Sequence, residues 1–282
     1  ELTMENAEHI VESAEKKAAP VCEIQKSSFA LDGKVAVVTG SGRGMGEAIA
    51  KGLAALGAKV VSTDINLESA QQTADVIIAA GHEACAMCID IGDEAVVESV
   101  VDAVVAKYGR IDIWVNNAAI LDIGSRSFPE MTVDGFRKTI AINLTGVYIC
   151  SRYAAMQMIR QNSGSIINIG SNSSRGAVMN VAWGSPAYAA SKGAIHTLTS
   201  SIAQNLAKYN VRCNCVAPAA VDTPMHAHHR QWLLDTYNNL IPLGRVMVAD
   251  DVVGAVAFLA ADASAFITGQ SFHVNGGMLM VQ

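Results

Sequence analysis

Beyond residue 30, short runs of Val, Ile and Ala alternate with longer stretches in which apolar residues recur every three or four positions. The short runs, at 34–39, 59–63, 84–89, 111–115, 165–169 and 211–216, read as strands. Their apolar character is nearly continuous rather than alternating, the pattern of strands covered on both faces, as in a parallel sheet. The longer stretches at 46–56, 67–80, 94–108 and 185–208 carry helical periodicity. Strand and helix taking turns predict an α/β fold: one doubly wound parallel sheet flanked by helices on both faces, built from right-handed βαβ units. Ligands in such sheets bind beyond the carboxyl ends of the strands, so the residues just after each strand are where chemistry is sought.

Residues 1–28 depart from this pattern, since Glu and Lys interleave with Ala and Pro20 interrupts the run. The expectation is an N-terminal extension over 1–30, helical or in part an added leader, followed by one domain over 31–282. Hydrophobic residues make up 51% of the 282, enough to fill one large core. The net charge of −6 and the lack of a Lys/Arg cluster argue against a nucleic-acid or anionic-membrane partner and toward a small dissolved one. No apolar run approaches the roughly 20 residues that span a bilayer, and no signal-peptide core is seen, so a cytoplasmic location is expected. Cys85/Cys88 and Cys213/Cys215 are spaced closely enough to suggest a metal or redox site. Both pairs lie in strand-like runs, Cys85 and Cys88 are expected on opposite faces, and no further ligands are in reach of the second pair. All six cysteines are therefore read as small buried hydrophobes, and no metal site is assigned.

The first strand runs into Thr39-Gly40-Ser41-Gly42-Arg43-Gly44-Met45-Gly46, and a helix starts at once. Glycines let a backbone approach a pyrophosphate closely, and the unpaired N–H groups of the helix start favour its charge. The second strand ends at Asp64, followed by Ile65, at the distance expected of an acid that binds the adenine ribose hydroxyls. A carboxylate there repels the extra phosphate of NADP and favours NAD; Arg43, a cation inside the loop, favours NADP. Later in the chain, Tyr188 and Lys192 are four apart on a predicted helix and so share a face. An ordinary phenol titrates near pH 10; a neighbouring cation, joined by the charge of an oxidised nicotinamide, favours the phenolate and lowers that value.

Further segments fall in order: Asp90-Ile91 after the third strand, Asn116-Asn117-Ala118-Ala119 after the fourth, Asn143 within Ala141–Gly146, Ser171 after the fifth, Pro218-Ala219-Ala220-Val221-Asp222-Thr223 after the sixth, and GQSFHVNGG from Gly269. With the T-G-x-x-x-G-x-G loop and Y-x-x-x-K, they resemble the classical short-chain dehydrogenase/reductase (SDR) family from Leu31 onward. Ala119 and Ala219 stand where the family has glycine.

That resemblance implies a Rossmann fold and an NAD(H)-dependent oxidoreductase interconverting a secondary alcohol and a ketone by hydride transfer. The implied catalytic residues are Asn143, Ser171, Tyr188 and Lys192. Tyr188 serves as general acid/base, Ser171 holds the substrate oxygen, Lys192 binds the nicotinamide ribose and tunes Tyr188, and Asn143 holds a water for proton exit. The gap from Ser171 to Tyr188 is longer than the family's, and Ser173 in the same loop is the alternative serine. The implied cofactor contacts are Gly40, Arg43, Gly44, Met45, Gly46, Asp64, Ile65, Asp90, Ile91, Asn117, Ala118, Tyr188, Lys192, Pro218, Val221 and Thr223. A lid over about 224–243 and the loop 173–186 are expected to form the substrate pocket, with Met179, Val181, Trp183, Met225, Trp232 and Tyr237 on its wall and His226, His228 and His229 as polar handles; lid-to-body packing is the competing account of these residues. Family members commonly form homotetramers or homodimers. The alternatives are an NADP(H)-dependent ketone reductase, an epimerase or dehydratase reusing the same Tyr and Lys, and a catalytically silent dinucleotide-binding regulatory protein.

Overall fold

The computed structural model describes residues 26–121, 128–175 and 185–280. Among them, seven strands share one sheet: β1 (Val35–Thr39), β2 (Lys59–Asp64), β3 (Ala84–Cys88), β4 (Ile113–Asn116), β5 (Gly164–Ile169), β6 (Val211–Pro218) and β7 (Ser271–Val274). Their order in space is β3-β2-β1-β4-β5-β6-β7. Every neighbouring pair is parallel, so all carboxyl ends meet along one edge. The winding direction reverses between β1 and β4, which opens a crevice there.

The helices are α1 (Gly44–Ala55), α2 (Leu67–Ala79), α3 (Glu94–Tyr108), α4 (Val133–Ile140), α5 (Val147–Gln161), α6 (Pro186–Leu206), α7 (Arg230–Leu240) and α8 (Val253–Ala260). A π-helical turn, Ala141–Gly146, joins α4 to α5. Local chemistry sets the helix starts. Asn66 and Asp93 accept N–H bonds from the first turns of α2 and α3, and Ser185 does the same for α6, where Pro186 takes the first helical position. No helix among the described residues is long and apolar enough to cross a membrane.

The pleat sorts alternate residues of the central strands into two cores. Ala36 and Val38 join Ile113, Val115 and Ile167 beneath Ile49 and Leu53 of α1 and Val256 of α8. Val35 and Val37 join Trp114 and Ile166 beneath Val97 and Val104 of α3 and Tyr153 of α5. Cover on both faces does not extend to the edge: β3 is only half-buried, and Cys88 is exposed. An edge strand has a neighbour on one side alone, so the reading of all cysteines as buried hydrophobes is corrected for Cys85 and Cys88. It describes Cys150, Cys213 and Cys215, and Cys22 lies outside the described residues.

Candidate functional site

A cavity of about 560 Å³ runs along the carboxyl edge of the sheet, a volume within the range that takes a small-molecule cofactor. All sixteen residues expected to contact a dinucleotide are on its wall: Gly40, Arg43, Gly44, Met45, Gly46, Asp64, Ile65, Asp90, Ile91, Asn117, Ala118, Tyr188, Lys192, Pro218, Val221 and Thr223. Ser171 is there too.

One end of the cavity is built by backbone braced by two side chains, Thr39 and Asn117. Thr39 Oγ1 accepts the N–H groups of Asn117 and Ala118 at 3.1 Å each, and Asn117 Nδ2 donates to the carbonyls of Thr39 at 2.9 Å and Gly40 at 3.0 Å. These bonds lock the end of β1 to the end of β4, so Asn117 braces the glycine loop while also facing the cavity. Gly46 is forced by the same closeness, since a Cβ there would overlap the Gly40 carbonyl and the Asn117 amide. Gly40 takes φ +64°, a left-handed conformation, with Ala118 Cα 2.8 Å from where its Cβ would stand. The turn thus delivers the start of α1, with its unpaired N–H groups, to the cavity wall.

Asp64 closes β2 with its carboxylate already oriented. Oδ2 accepts Gly42 N–H at 3.1 Å and Oδ1 accepts Asn66 N–H at 3.0 Å. Arg43 is exposed beside it and caps no N–H group with its side chain. At the next strand, Asp90 Oδ1 accepts Gly92 N–H at 2.8 Å, and Ile91 is buried. A loop of bare α-carbons at a helix start, an oriented acid at the neighbouring strand end and an apolar residue beyond it suit a pyrophosphate, a ribose and an adenine in turn. The residues present therefore fit a nicotinamide dinucleotide.

The other end is built by side chains. Ser185 caps α6 and accepts Tyr188 N–H at 3.4 Å, which sets Tyr188 in the first helical turn with its ring toward the cavity. Lys192 Nζ stands 5.8 Å from the centre of that ring and donates to the Ile169 carbonyl at 2.7 Å. Burial lowers Lys192 from 10.5 to about 8, against an opposing influence from the Cys215 thiol. Burial also raises the Tyr188 phenol above its ordinary value, and the hydrogen bond with Ser171 works the other way. The expectation that the lysine brings the phenol down is thus not met by the protein alone, because desolvation of the phenolate dominates. Ser173 lies off the wall, with its Oγ donating to Ser171 Oγ at 2.8 Å and its N–H at 3.2 Å.

Asn143 is fully buried in the π-helical turn, one residue behind the wall. Its Oδ1 accepts Ile120 N–H and its Nδ2 donates to the Ile120 carbonyl, both at 2.8 Å, with Ser191 Oγ at 3.3 Å. Asn116 is also buried, bonded to Trp114, Ser151 and Asn168 in the core. Ile120, Lys138 and Ile142 also line the cavity and were not anticipated. The signal for Ile142 was its place next to Asn143, and for Lys138 its place one turn earlier.

In the lid, Pro224 and Met225 reach the cavity. Trp232 and Tyr237 do not: their rings meet edge to face, and Tyr237 is buried with Leu233, Ile241 and Val246. Of the two accounts, lid-to-body packing describes Trp232 and Tyr237, since an amphipathic helix buries its aromatic face against the body first. Arg230 grips Asp222 through both carboxylate oxygens and ties the start of α7 to the segment after β6. Met179, Val181 and Trp183 lie outside the described residues, as do the side chains of His226, His228 and His229.

Residues 40–279 match the family model described as Enoyl-(Acyl carrier protein) reductase. The chain is 37% identical over 247 residues to meso-2,3-butanediol dehydrogenase of Serratia marcescens, covering 88% of this chain and 95% of that one. It is also 37% identical over 256 residues to the 3-oxoacyl-(acyl-carrier-protein) reductase of Escherichia coli strain K12, covering 89% and 99%. Among solved structures, a gluconate 5-dehydrogenase from Burkholderia cenocepacia, in complex with NADP and tartrate, superposes with a TM-score of 0.82 at 34% identity, covering 89% of this chain and 97% of that one.

Proposed function

The chain belongs to the short-chain dehydrogenase/reductase family of oxidoreductases, and from that premise we propose that it interconverts a secondary alcohol and a ketone with NAD(H). One observation carries the reading: Ser171, Tyr188 and Lys192 line the same cavity whose far end holds the glycine loop and Asp64. A binding protein needs only the far end. When bound, the dinucleotide supplies the hydride acceptor, or the donor in the reverse direction.

The chain's own residues do the rest. Gly40, Gly44, Met45 and Gly46 hold the pyrophosphate at the start of α1, and Asp64 takes the adenine ribose hydroxyls. Asp90 and Ile91 hold the adenine, with Pro218, Val221 and Thr223 at the nicotinamide end. Ser171 Oγ orients the substrate oxygen. Tyr188 Oη takes the alcohol's proton, or returns it during reduction. Because burial raises that phenol, charge from elsewhere must favour the phenolate during the reaction; the Lys192 ammonium beside the ring supplies part of it. Asn143, through Ile120, keeps the wall in place and supports the path by which the proton leaves.

Asp64 favours NAD, since a fixed carboxylate at the ribose repels a 2′-phosphate. A second reading, NADP(H), is favoured by Arg43 on the wall and by the NADP in the related gluconate dehydrogenase. The dehydrogenase and reductase names of the relatives support the secondary alcohol/ketone class. The test is fluorescence titration with NADH and NADPH, followed by absorbance at 340 nm with each oxidised cofactor against cyclic, aromatic and polyol secondary alcohols. NAD-linked turnover that vanishes in Tyr188→Phe is the expected result. Tight binding without turnover across the panel would replace this reading with the regulatory binder, and preference for NADPH would replace NAD with NADP.

A further inference from the structure

Behind the serine turn lies a polar cluster that the proposed reaction leaves unused. His196 is one turn past Lys192 on α6, and it reaches the turn because residue 170 is glycine: a Cβ there would stand 2.7 Å from Cys215 Sγ and 3.2 Å from His196 Nε2. His196 Nε2 is 2.9 Å from Ser174 Oγ, and His196 Nδ1 is 2.7 Å from Ser271 Oγ on β7. Ser174 Oγ lies 2.6 Å from the carbonyl of Ser171.

Counting protons gives this chain a direction. A carbonyl only accepts, so Ser174 spends its single hydroxyl proton on Ser171 and must accept from His196. Nε2 therefore carries a proton, and in the neutral tautomer Nδ1 accepts from Ser271. His273 lies parallel to His196, with ring centres 5.9 Å apart and planes at 12°, and its Nδ1 is 3.0 Å from Oδ1 of Asn172. Two stacked imidazoles thus hold the two neighbours of Ser171's turn, Asn172 and Ser174, from strand β7 and helix α6.

We propose that His196 is a positioning residue: the relay from Ser271 through His196 and Ser174 fixes the Ser171 peptide and so aims its hydroxyl at Tyr188. The proposal rests on the reading of Ser171 and Tyr188 as the pair that handles the substrate oxygen. A reacting group displaced by a fraction of an ångström loses rate rather than affinity. His196→Leu and Ser174→Ala should each lower kcat about tenfold, and the double variant no further, because both cut the same chain. KM for the dinucleotide and its dissociation constant should stay unchanged. His196→Gln, which presents an N–H near the Nε2 position, should recover most of the rate.

Nitrogen NMR of the imidazoles in the unmodified protein supplies a readout that needs no turnover, with an Nε2–H tautomer expected for His196. An Nδ1–H tautomer there, or full kcat in both single variants, would overturn the relay. So would a parallel loss of rate, dinucleotide binding and thermal stability that Gln fails to rescue, since that pattern marks a purely structural ring. Absence of turnover in the unmodified protein would instead overturn the reading of the site.

Discussion

The two ends of the cavity are held by different means. At the dinucleotide end, the shape comes from main chain held close by two short side chains: the carbonyl of Gly40 lies against the bare carbon of Gly46, the N–H groups of Asn117 and Ala118 bond the Thr39 hydroxyl, and the Asn117 amide bonds the carbonyls of Thr39 and Gly40. At the reactive end, side chains from α6 and the turn after β5 must meet one another: Tyr188 bonds Ser171, and the Lys192 ammonium, held by the Ile169 carbonyl, stands 5.8 Å from the centre of the Tyr188 ring. Such a cradle is specified by a few glycines together with Thr39 and Asn117. A side-chain constellation depends on every element that carries a member, so small losses there should cost rate while leaving binding intact.

Four measurements would sharpen that contrast or break it. The largest effect is expected for Tyr188→Phe: turnover should fall about 10³-fold while NADH binding by fluorescence stays within a factor of two or so, as suits loss of a general acid/base. Equal losses of binding and turnover would abolish the division of labour.

Next comes the pH dependence of stability without cofactor. An unfolded lysine titrates at 10.5 and Lys192 in the folded chain at about 8. Between those values the unfolded chain binds the extra proton, so folded stability should rise as pH climbs through the window. Below pH 8 the cost of burying the ammonium is fully present. A shift of this size corresponds to about 3 kcal/mol. Urea unfolding of Lys192→Met, compared with the unmodified chain, should lack that rise. An identical rise in both would place the titrating group elsewhere.

Gly46→Ala follows. Its Cβ overlaps the Gly40 carbonyl, so we expect about 2 kcal/mol lost in urea unfolding, together with weaker binding of NADH. Unchanged binding would mean that the loop gives way without cost. The smallest effect is on selectivity: Asp64→Ser should move the NADH/NADPH preference about tenfold toward NADPH, read from the two dissociation constants. No movement would assign the discrimination to Arg43.

The same contrast explains what could be read from sequence. Glycine spacing and continuous Val/Ile runs are local signals, so the parallel sheet, the loop and the place of Asp64 at a strand end are legible in the sequence. Helix α8, Val-Gly-Ala-Val-Ala-Phe-Leu-Ala, is apolar nearly all round and has no period to read. The half-buried state of β3 depends on which strand ends at the edge, a matter of winding order rather than composition. Tyr188 and Lys192 were visible as a spacing. Their protonation was not, because desolvation is set by the whole surround. For Trp232 and Tyr237 chemistry alone allows both a pocket wall and lid-to-body packing, and the amphipathic packing of α7 decides for the second.

The π-helical turn at Ala141–Gly146 bears on how the chain tolerates changes of length. Its i→i+5 ladder holds one residue more than an α-helical turn would. Deleting a single residue there would let the segment close as ordinary α-helix, with α4 and α5 still presenting the same faces to the body. The fold would survive the deletion, yet Asn143 would be drawn off the Ile120 peptide. In this stretch the register of the chain, rather than the identity of most of its residues, is what an insertion or deletion would read out.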